Sequence, residues 1–190
     1  MPKQRLTKTD WILAAFRALA TGGPAALKVE PIARSIGSTK GSFYWHFEGP
    51  TALRDAMLSY WEASALTRII DQLDPLPPGA ARLRKLADLL DLALAEPHGG
   101  ARGEPALRDW GRFDPVVAAR VAAVDEQRIA YVAKCLTEAQ LPTEPHARLL
   151  YAANLGLEAL AADGGSRISP PVHALLDLYG VPQMPPGYVP

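Results

Sequence analysis

The sequence predicts an all-α protein of about nine helices, a small three-helix head containing a helix-turn-helix followed by a larger helical body. Three observations carry this. No stretch of five or more residues alternates apolar and polar with β-branched enrichment, so strands have no signal. Apolar residues recur at i, i+3, i+4 and i+7 along most of the chain. Gly, Pro and small hydroxyl or carboxylate residues punctuate those runs where helices should start and stop. The 190 residues are 48% hydrophobic and 21% charged, enough for a real core and unlike a disordered or low-complexity chain.

The first helix runs over about Thr7–Ala20, with Thr7 or Thr9 as its cap and Gly22-Gly23-Pro24 as its stop. Its Ile12, Phe16 and Leu19 make one amphipathic face, and Asp10 and Arg17 interrupt the apolar run. The N-terminus therefore reads as a helix and not as a removable secretory leader. The second helix covers about Glu30–Ile36, with Pro31 in its first turn and Gly37 closing it. The third covers about Thr39–His46. Gly49-Pro50 opens a long fourth helix, about Pro50–Leu73, and the run Asp74–Gly79 breaks it.

The fifth helix, about Ala80–Glu96, lines up Leu83, Leu86, Leu90 and Leu94 near one face. A Gly-rich loop over Pro97–Gly103 leads to a short sixth helix, about Glu104–Arg112. Asp114-Pro115 is a cap followed by Pro at the first helical position, and it opens a seventh helix, about Pro115–Gln140. Thr143 is read as the cap of the eighth, about Glu144–Ala162, which Asp163-Gly164-Gly165 ends. Ser169-Pro170 opens the ninth, which reaches Leu178–Tyr179. Residues 1–48 then form the head, 49–180 the body, and 181–190 a Pro-rich tail.

Net charge is zero, but it is unevenly spread. Residues 1–48 carry seven basic and three acidic groups, a balance of +4, and residues 49–190 carry the opposing −4. A basic head on an acidic body points the head at a polyanion. One cysteine, Cys135, excludes an intramolecular disulfide framework and suits a reducing cytoplasm. No apolar run approaches the roughly 20 residues that cross a bilayer, so no membrane partner is expected.

The chemistry concentrates in Val29–Phe47. Ile32 and Ile36 share a face of the second helix, and Ala33 is small enough for the third to approach. Gly37 supplies a left-handed conformation for the sharp turn. Ser38 or Thr39 can cap the third helix. Phe43 and Phe47, four apart, turn back into the head. That leaves Thr39, Lys40, Ser42, Tyr44 and His46 outside, a set of hydroxyls, an ammonium and an imidazole suited to base edges and phosphates. Trp45 can pack against a nucleic-acid backbone, or else sit in the head's core as tryptophans usually do.

Ile32-Ala33 through Gly37, followed by Lys40-Gly41-Ser42-Phe43-Tyr44-Trp45-His46-Phe47, resembles the DNA-binding head of the TetR family of transcriptional regulators. The position near the N-terminus, the flanking helices and the chain length also match; the resemblance covers about residues 7–60, and beyond them only helix count and order agree. It implies a ligand-responsive DNA-binding regulator, most simply a repressor released from a palindromic double-stranded operator by a small-molecule effector. Two positions depart from the pattern. Lys28 stands where members often have a Thr cap, losing the cap but gaining reach to a phosphate. Pro50 stands where members commonly carry a Lys, removing that contact while leaving helix N–H groups for a phosphate. Lys28, Thr39, Lys40, Ser42, Tyr44, Trp45 and His46 are the expected DNA-binding residues.

Other classes have weaker support. Gly37-Ser38-Thr39-Lys40-Gly41-Ser42 lacks the spacing of a phosphate-cradling loop and has no strand before it. His46, His98, His146 and His173 form no i, i+4 ligand pair, and no Gly-x-Ser-x-Gly elbow occurs. Cys135 lies mid-helix as a small core residue. No catalysis and no cofactor or metal is therefore expected. A helical protein-binding adaptor is the alternative, separated from the first reading by a gel shift on DNA.

The body suggests two further surfaces. Trp61, Trp110, Phe113 and Tyr131 are aromatic residues in a Leu- and Ala-rich setting, and Asn154 is polar within an apolar run. They are the expected lining of a pocket for an apolar or aromatic effector, with ordinary core packing as the alternative for each. Ala152, Gly156 and Ala159 form a stripe of small residues on the eighth helix, and Leu175 and Tyr179 lie on one side of the ninth. Two such helices from each of two chains would make a homodimer's four-helix bundle. The alternative is that the stripe packs internally against the seventh helix.

Overall fold

A computed structural model of the chain describes residues 6–93, 102–161 and 167–183. Leu94–Glu96, most of the Gly-rich loop, the Asp163–Gly165 stop, Lys3, Arg5 and the tail from residue 184 lie outside them. Among the described residues the regular structure is helical throughout: α1 Lys8–Gly22, α2 Val29–Ser35, α3 Lys40–Phe43, α4 Pro50–Glu62, α5 Arg68–Leu73, α6 Ala80–Ala93, α7 Gly103–Gly111, α8 Pro115–Glu138, α9 His146–Ala161 and α10 Ser169–Leu178. A 3-10 turn, Pro24–Ala26, sits between α1 and α2.

Two expectations about length change. The fourth helix is not one run to Leu73: a π-helical turn, Ala63–Thr67, separates α4 from α5. The third helix closes at Phe43, and Tyr44–His46 form a turn in place of its last turn. The reason is visible in the bonding, because the N–H of Trp45 and that of His46 reach back only three residues, to the carbonyls of Ser42 and Phe43.

The chain forms two compact units. The first holds residues 1–62 and 96–121, so the helices of the head share a unit with α4, α7 and the start of α8. Its helices start on chemistry that is local. Thr7 Oγ1 accepts from the Asp10 N–H at 3.2 Å while Asp10 accepts from the Thr7 N–H at 2.7 Å, a reciprocal capping box. Asp114 Oδ1 accepts from the N–H groups of Val116 and Val117, and so caps α8. The core of this unit is aromatic: Trp11, Phe16, Phe43 and Trp61 are buried with Leu19, Ile32, Met57, Leu58 and Leu107. Trp61 donates its indole N–H to the buried Glu104 at 3.4 Å, and Arg108 neutralises that carboxylate at 2.6 Å.

The second unit holds residues 63–95 and 122–190. Leu83, Ile129, Val132, Cys135, Leu136, Leu150 and Leu176 are among its buried core. Side chains of α6 reach α10 at several points, among them Asp88, whose carboxylate lies 2.7 Å from His173 Nε2. Asp91 Oδ1 accepts from the N–H groups of Ile168 and Ser169 at 2.7 and 3.0 Å, capping α10 from another helix. The buried Arg84 donates to the carbonyls of His173, Val181 and Pro182 and to the Asp177 carboxylate, and so ties α6 to α10 and the segment after it. Gly79 has φ +81°, and an added Cβ would lie 2.9 Å from the Ala139 N, so only glycine fits there. Thr143 does not cap α9 as expected; its hydroxyl bonds Thr137 at 3.0 Å, and α9 begins three residues later at His146. The Cys135 thiol is buried, and burial pushes it up to about 11, which leaves it protonated and inert. Among the described residues no helix is long and apolar enough to cross a membrane.

Candidate nucleic-acid interface

The presented surface is built from the inside. Phe43 and Phe47 are buried and stacked with ring centroids 5.3 Å apart, and Trp11 meets Phe43 edge-on at 5.5 Å. Aromatic contacts of this kind add about 0.5–1.5 kcal/mol each beyond burial. Gly37 takes φ +64°, so the chain reverses sharply between α2 and α3, and the Gly37 and Ser38 N–H groups bond back to Arg34 and Ala33. Thr39 Oγ1 accepts from the Ser42 N–H at 3.2 Å and caps α3. With Phe43 fixed inward, its neighbours have to face outward.

They do. Tyr44 is half exposed, and Trp45 is 89% exposed, which excludes the core alternative for Trp45 within this chain. A large apolar side chain left in water costs a folded domain roughly 2 kcal/mol of forgone burial. Lys28, Thr39 and Lys40 are exposed, and Ser42 and His46 are half-buried. The His46 ring lies 6.2 Å from that of Trp11. Lys28 occupies the cap position of α2 and makes no side-chain cap bond, leaving its ammonium for other partners. Five of the seven expected residues are exposed and Ser42 and His46 are half-buried; Lys28 stands at the start of α2, and the other six lie between the cap of α3 and the turn after it.

Sequence reasoning does not single out one residue of this face. Glu30, in the first turn of α2, accepts from the Lys40 ammonium at 2.7 Å across the Gly37 turn. The contact holds the Glu30 carboxyl below its ordinary value and the Lys40 ammonium above its own. The only signal in the sequence is an acidic group ten residues before the basic one, a spacing that no single helix brings together.

The expected effector residues are not gathered in one place. Trp61 is core and Phe113 is 85% exposed. Phe113 comes after Arg112 in the turn that joins α7 to α8, where the N–H groups of Arg112 to Asp114 bond back into α7 and the ring is left outside. Phe113 therefore does not line an interior pocket of the chain. Trp110 does line a cavity of about 250 Å3, together with Leu27, Val29, Leu53, Arg54 and Met57 within the first unit. Tyr131 belongs to the second unit; its hydroxyl donates to Asp74 at 3.3 Å. Asn154 is half-buried on α9. On that helix Ala147, Leu150 and Tyr151 face inward, while Ala152, Gly156 and Ala159 are exposed with Leu149 and Leu160. Apart from the adjacent residues and backbone of α9 itself, no described atom lies within 4 Å of a Cβ built at Gly156. Leu175 and Tyr179 are half-buried on and just after α10.

Residues 12–57 match the family model described as bacterial regulatory proteins, tetR family. Solved structures share the fold over nearly the whole chain. A transcriptional regulator from Rhodococcus sp. Rha1 superposes with TM-score 0.76 at 18% identity, over 95% of this chain and 100% of that one. NalD, the secondary repressor of the MexAB-OprM multidrug efflux pump in Pseudomonas aeruginosa, gives 0.62 at 21% identity over 91% and 94%. Reduced NemR from E. coli gives 0.67 at 16% over 93% and 98%. No curated protein matches the chain in sequence.

Proposed function

We propose that the protein, whose residues 12–57 match the model of the tetR family of bacterial regulatory proteins, is a cytoplasmic, homodimeric repressor that leaves a palindromic operator when a small molecule binds. The observation that carries the reading is the surface around α3, where Tyr44 and Trp45 are held in water by the buried Phe43 and Phe47 beside Lys28, Lys40 and the hydroxyls of Thr39 and Ser42. Lys40 and Ser42 reach base edges, and the Tyr44 hydroxyl and His46 bond phosphates. Trp45 packs its face on the sugar-phosphate backbone, and Lys28 adds one further phosphate contact.

A single short α3 spans only a few base pairs, too few for a useful specificity ratio in a genome, so two heads on a two-fold site are required. The exposed stripe Ala152, Gly156 and Ala159 on α9, with Leu175 on α10 and Tyr179 just after it, supports a four-helix dimer interface. An apolar or aromatic effector would meet Trp110, Leu27, Val29, Leu53 and Met57 in the cavity they share, with the Arg54–Asp114 ion pair in the same wall. Its binding favours a conformation whose paired heads no longer match the spacing of the site.

The test is binding to a duplex selected by the wild-type protein from a randomised pool. Lys40→Ala should weaken binding and relax preference at one base pair. Tyr44→Phe should weaken binding to all duplexes alike by about 1 kcal/mol and keep the preference. Unchanged affinity in both variants would reject this docking.

A further inference from the structure

Lys40 is the one cation on α3, and it is not free. Glu30 reaches over the Gly37 turn and holds its ammonium at 2.7 Å, with both side chains about half exposed, 51% and 55%. The pair stands on the face that meets DNA, so it has to answer to a polyanion. We propose that Glu30 is a specificity-determining residue: it positions Lys40 for a base edge and penalises its use on phosphates. This rests on the DNA-binding reading above and adds to it a residue and a role.

The chemistry is that of a three-donor cation. An ammonium has three N–H groups and no acceptor. Held by Glu30 through one, it still has two for the O6 and N7 acceptors of a guanine in the major groove. On such a base the pair survives docking, and the carboxylate stays neutralised beside the DNA. On a duplex without that base, Lys40 gains only by swinging to a phosphate. The swing strips Glu30 of its partner and leaves a bare carboxylate facing the backbone. Discrimination then comes from a repulsive element as much as from an attractive one. The same hydrogen bond holds the Lys40 ammonium above and the Glu30 carboxyl below their ordinary values. Thr39 and Gly37 keep the spacing, because the cap fixes the start of α3 and the left-handed turn fixes its approach to α2.

The experiment uses the full chain and two probes: the duplex that the wild type selects from a randomised pool, and a scrambled duplex of the same length and composition. Affinity is measured across a range of salt. Glu30→Gln keeps the size and the hydrogen-bonding oxygen and removes the charge. It should raise affinity for the scrambled duplex about fivefold and for the selected one less than twofold. Its salt dependence on the scrambled duplex should steepen by up to about 0.9 in logarithmic slope, one more phosphate neutralised. Combined with Lys40→Ala, the two changes should fail to add. A merely structural Glu30 would move stability and leave the salt slope where it was. Unchanged specificity ratio and slope, with additive effects in the double variant, would overturn the proposal while leaving the DNA-binding reading intact. A wild-type protein that selects no duplex would overturn both.

Discussion

Asp114 makes two kinds of bond at once, and substitutions separate them. Its Oδ1 accepts from the Val116 and Val117 N–H groups at 2.9 and 3.3 Å, capping the 24-residue α8. Its Oδ2 accepts from Arg54 of α4 at 3.2 Å, with side chains 20% and 24% exposed. Asp114→Ala removes both. The cap is worth about 1 kcal/mol, and a partly buried ion pair of this geometry at most about 1 more. The expected loss is therefore about 2 kcal/mol, or roughly 4–8 °C in Tm for a chain of this size. Asp114→Asn keeps an equally good cap and loses only the charge, so it should cost about 1 kcal/mol or less.

The two variants also differ with pH. Burial pushes the Asp114 carboxyl up, but the Val117 and Val116 N–H groups and Arg54 outweigh it, and the group sits below its ordinary value. A carboxyl lowered on folding contributes its stability above the unfolded value of about 3.9 and loses it as pH falls through the lower folded value. The gap between wild type and Asp114→Asn should be full near neutrality and close in acid. Thermal melts across pH give the gap. Amide exchange at Val116 and Val117 reads the cap locally, which matters because a chain of two compact units need not melt in one step. If Asp114→Ala and Asp114→Asn proved equally stable, the cap assignment would be wrong. If neither differed from wild type, both bonds would be ornamental.

The proposed regulation gives two further expected outcomes. Gly156→Leu places a large side chain on the exposed stripe of α9, where nothing described in the same chain opposes it; the fold should survive, sedimentation should show monomers, and binding to the selected duplex should fall although α3 is untouched. A dimer that still binds DNA would place the interface elsewhere. A compound that lifts the protein off its duplex by entering the Trp110 cavity should change indole emission, and Trp110→Phe should abolish that change; release with silent tryptophans would move the effector site away from Trp110.

The features legible in the sequence are those decided within a few residues. The choice of Thr7 over Thr9 as the first cap, and its box with Asp10, come from the structure; the Asp114 cap, the left-handed Gly37 and the inward Phe43 and Phe47 are set by neighbours two to four positions away and stand where spacing puts them. The exposed set around α3 is then obtained from the inward pair by elimination. The errors share the opposite character. Thr143 has the residue type and the position of a cap, just ahead of a helical run, but its hydroxyl is taken by Thr137, one helix back. Phe113 suits a pocket lining by type alone, yet the turn after α7 fixes its direction. Continuity of the fourth helix rests on apolar periodicity, which a π turn shifts by one residue without adding Gly or Pro to announce it. Nor does composition reveal that Asp91 caps α10 or that Glu30 restrains Lys40, since both bonds join residues that only the packed helices bring together.

The Glu30 contact shows why this distinction matters for function. A set of one cation and several hydroxyls around α3 describes what can touch DNA, and any basic helix-turn-helix would supply one. What such a set omits is the carboxylate that makes the cation choose. Charge arithmetic counts Glu30 as one of three acidic groups that bring the head's seven basic charges down to +4. Placed 2.7 Å from Lys40, the same charge lowers affinity for every phosphate and spares the base edge that leaves the pair intact. Affinity is then set by the sum of charges on the head, and selectivity by which of them are already bound to each other.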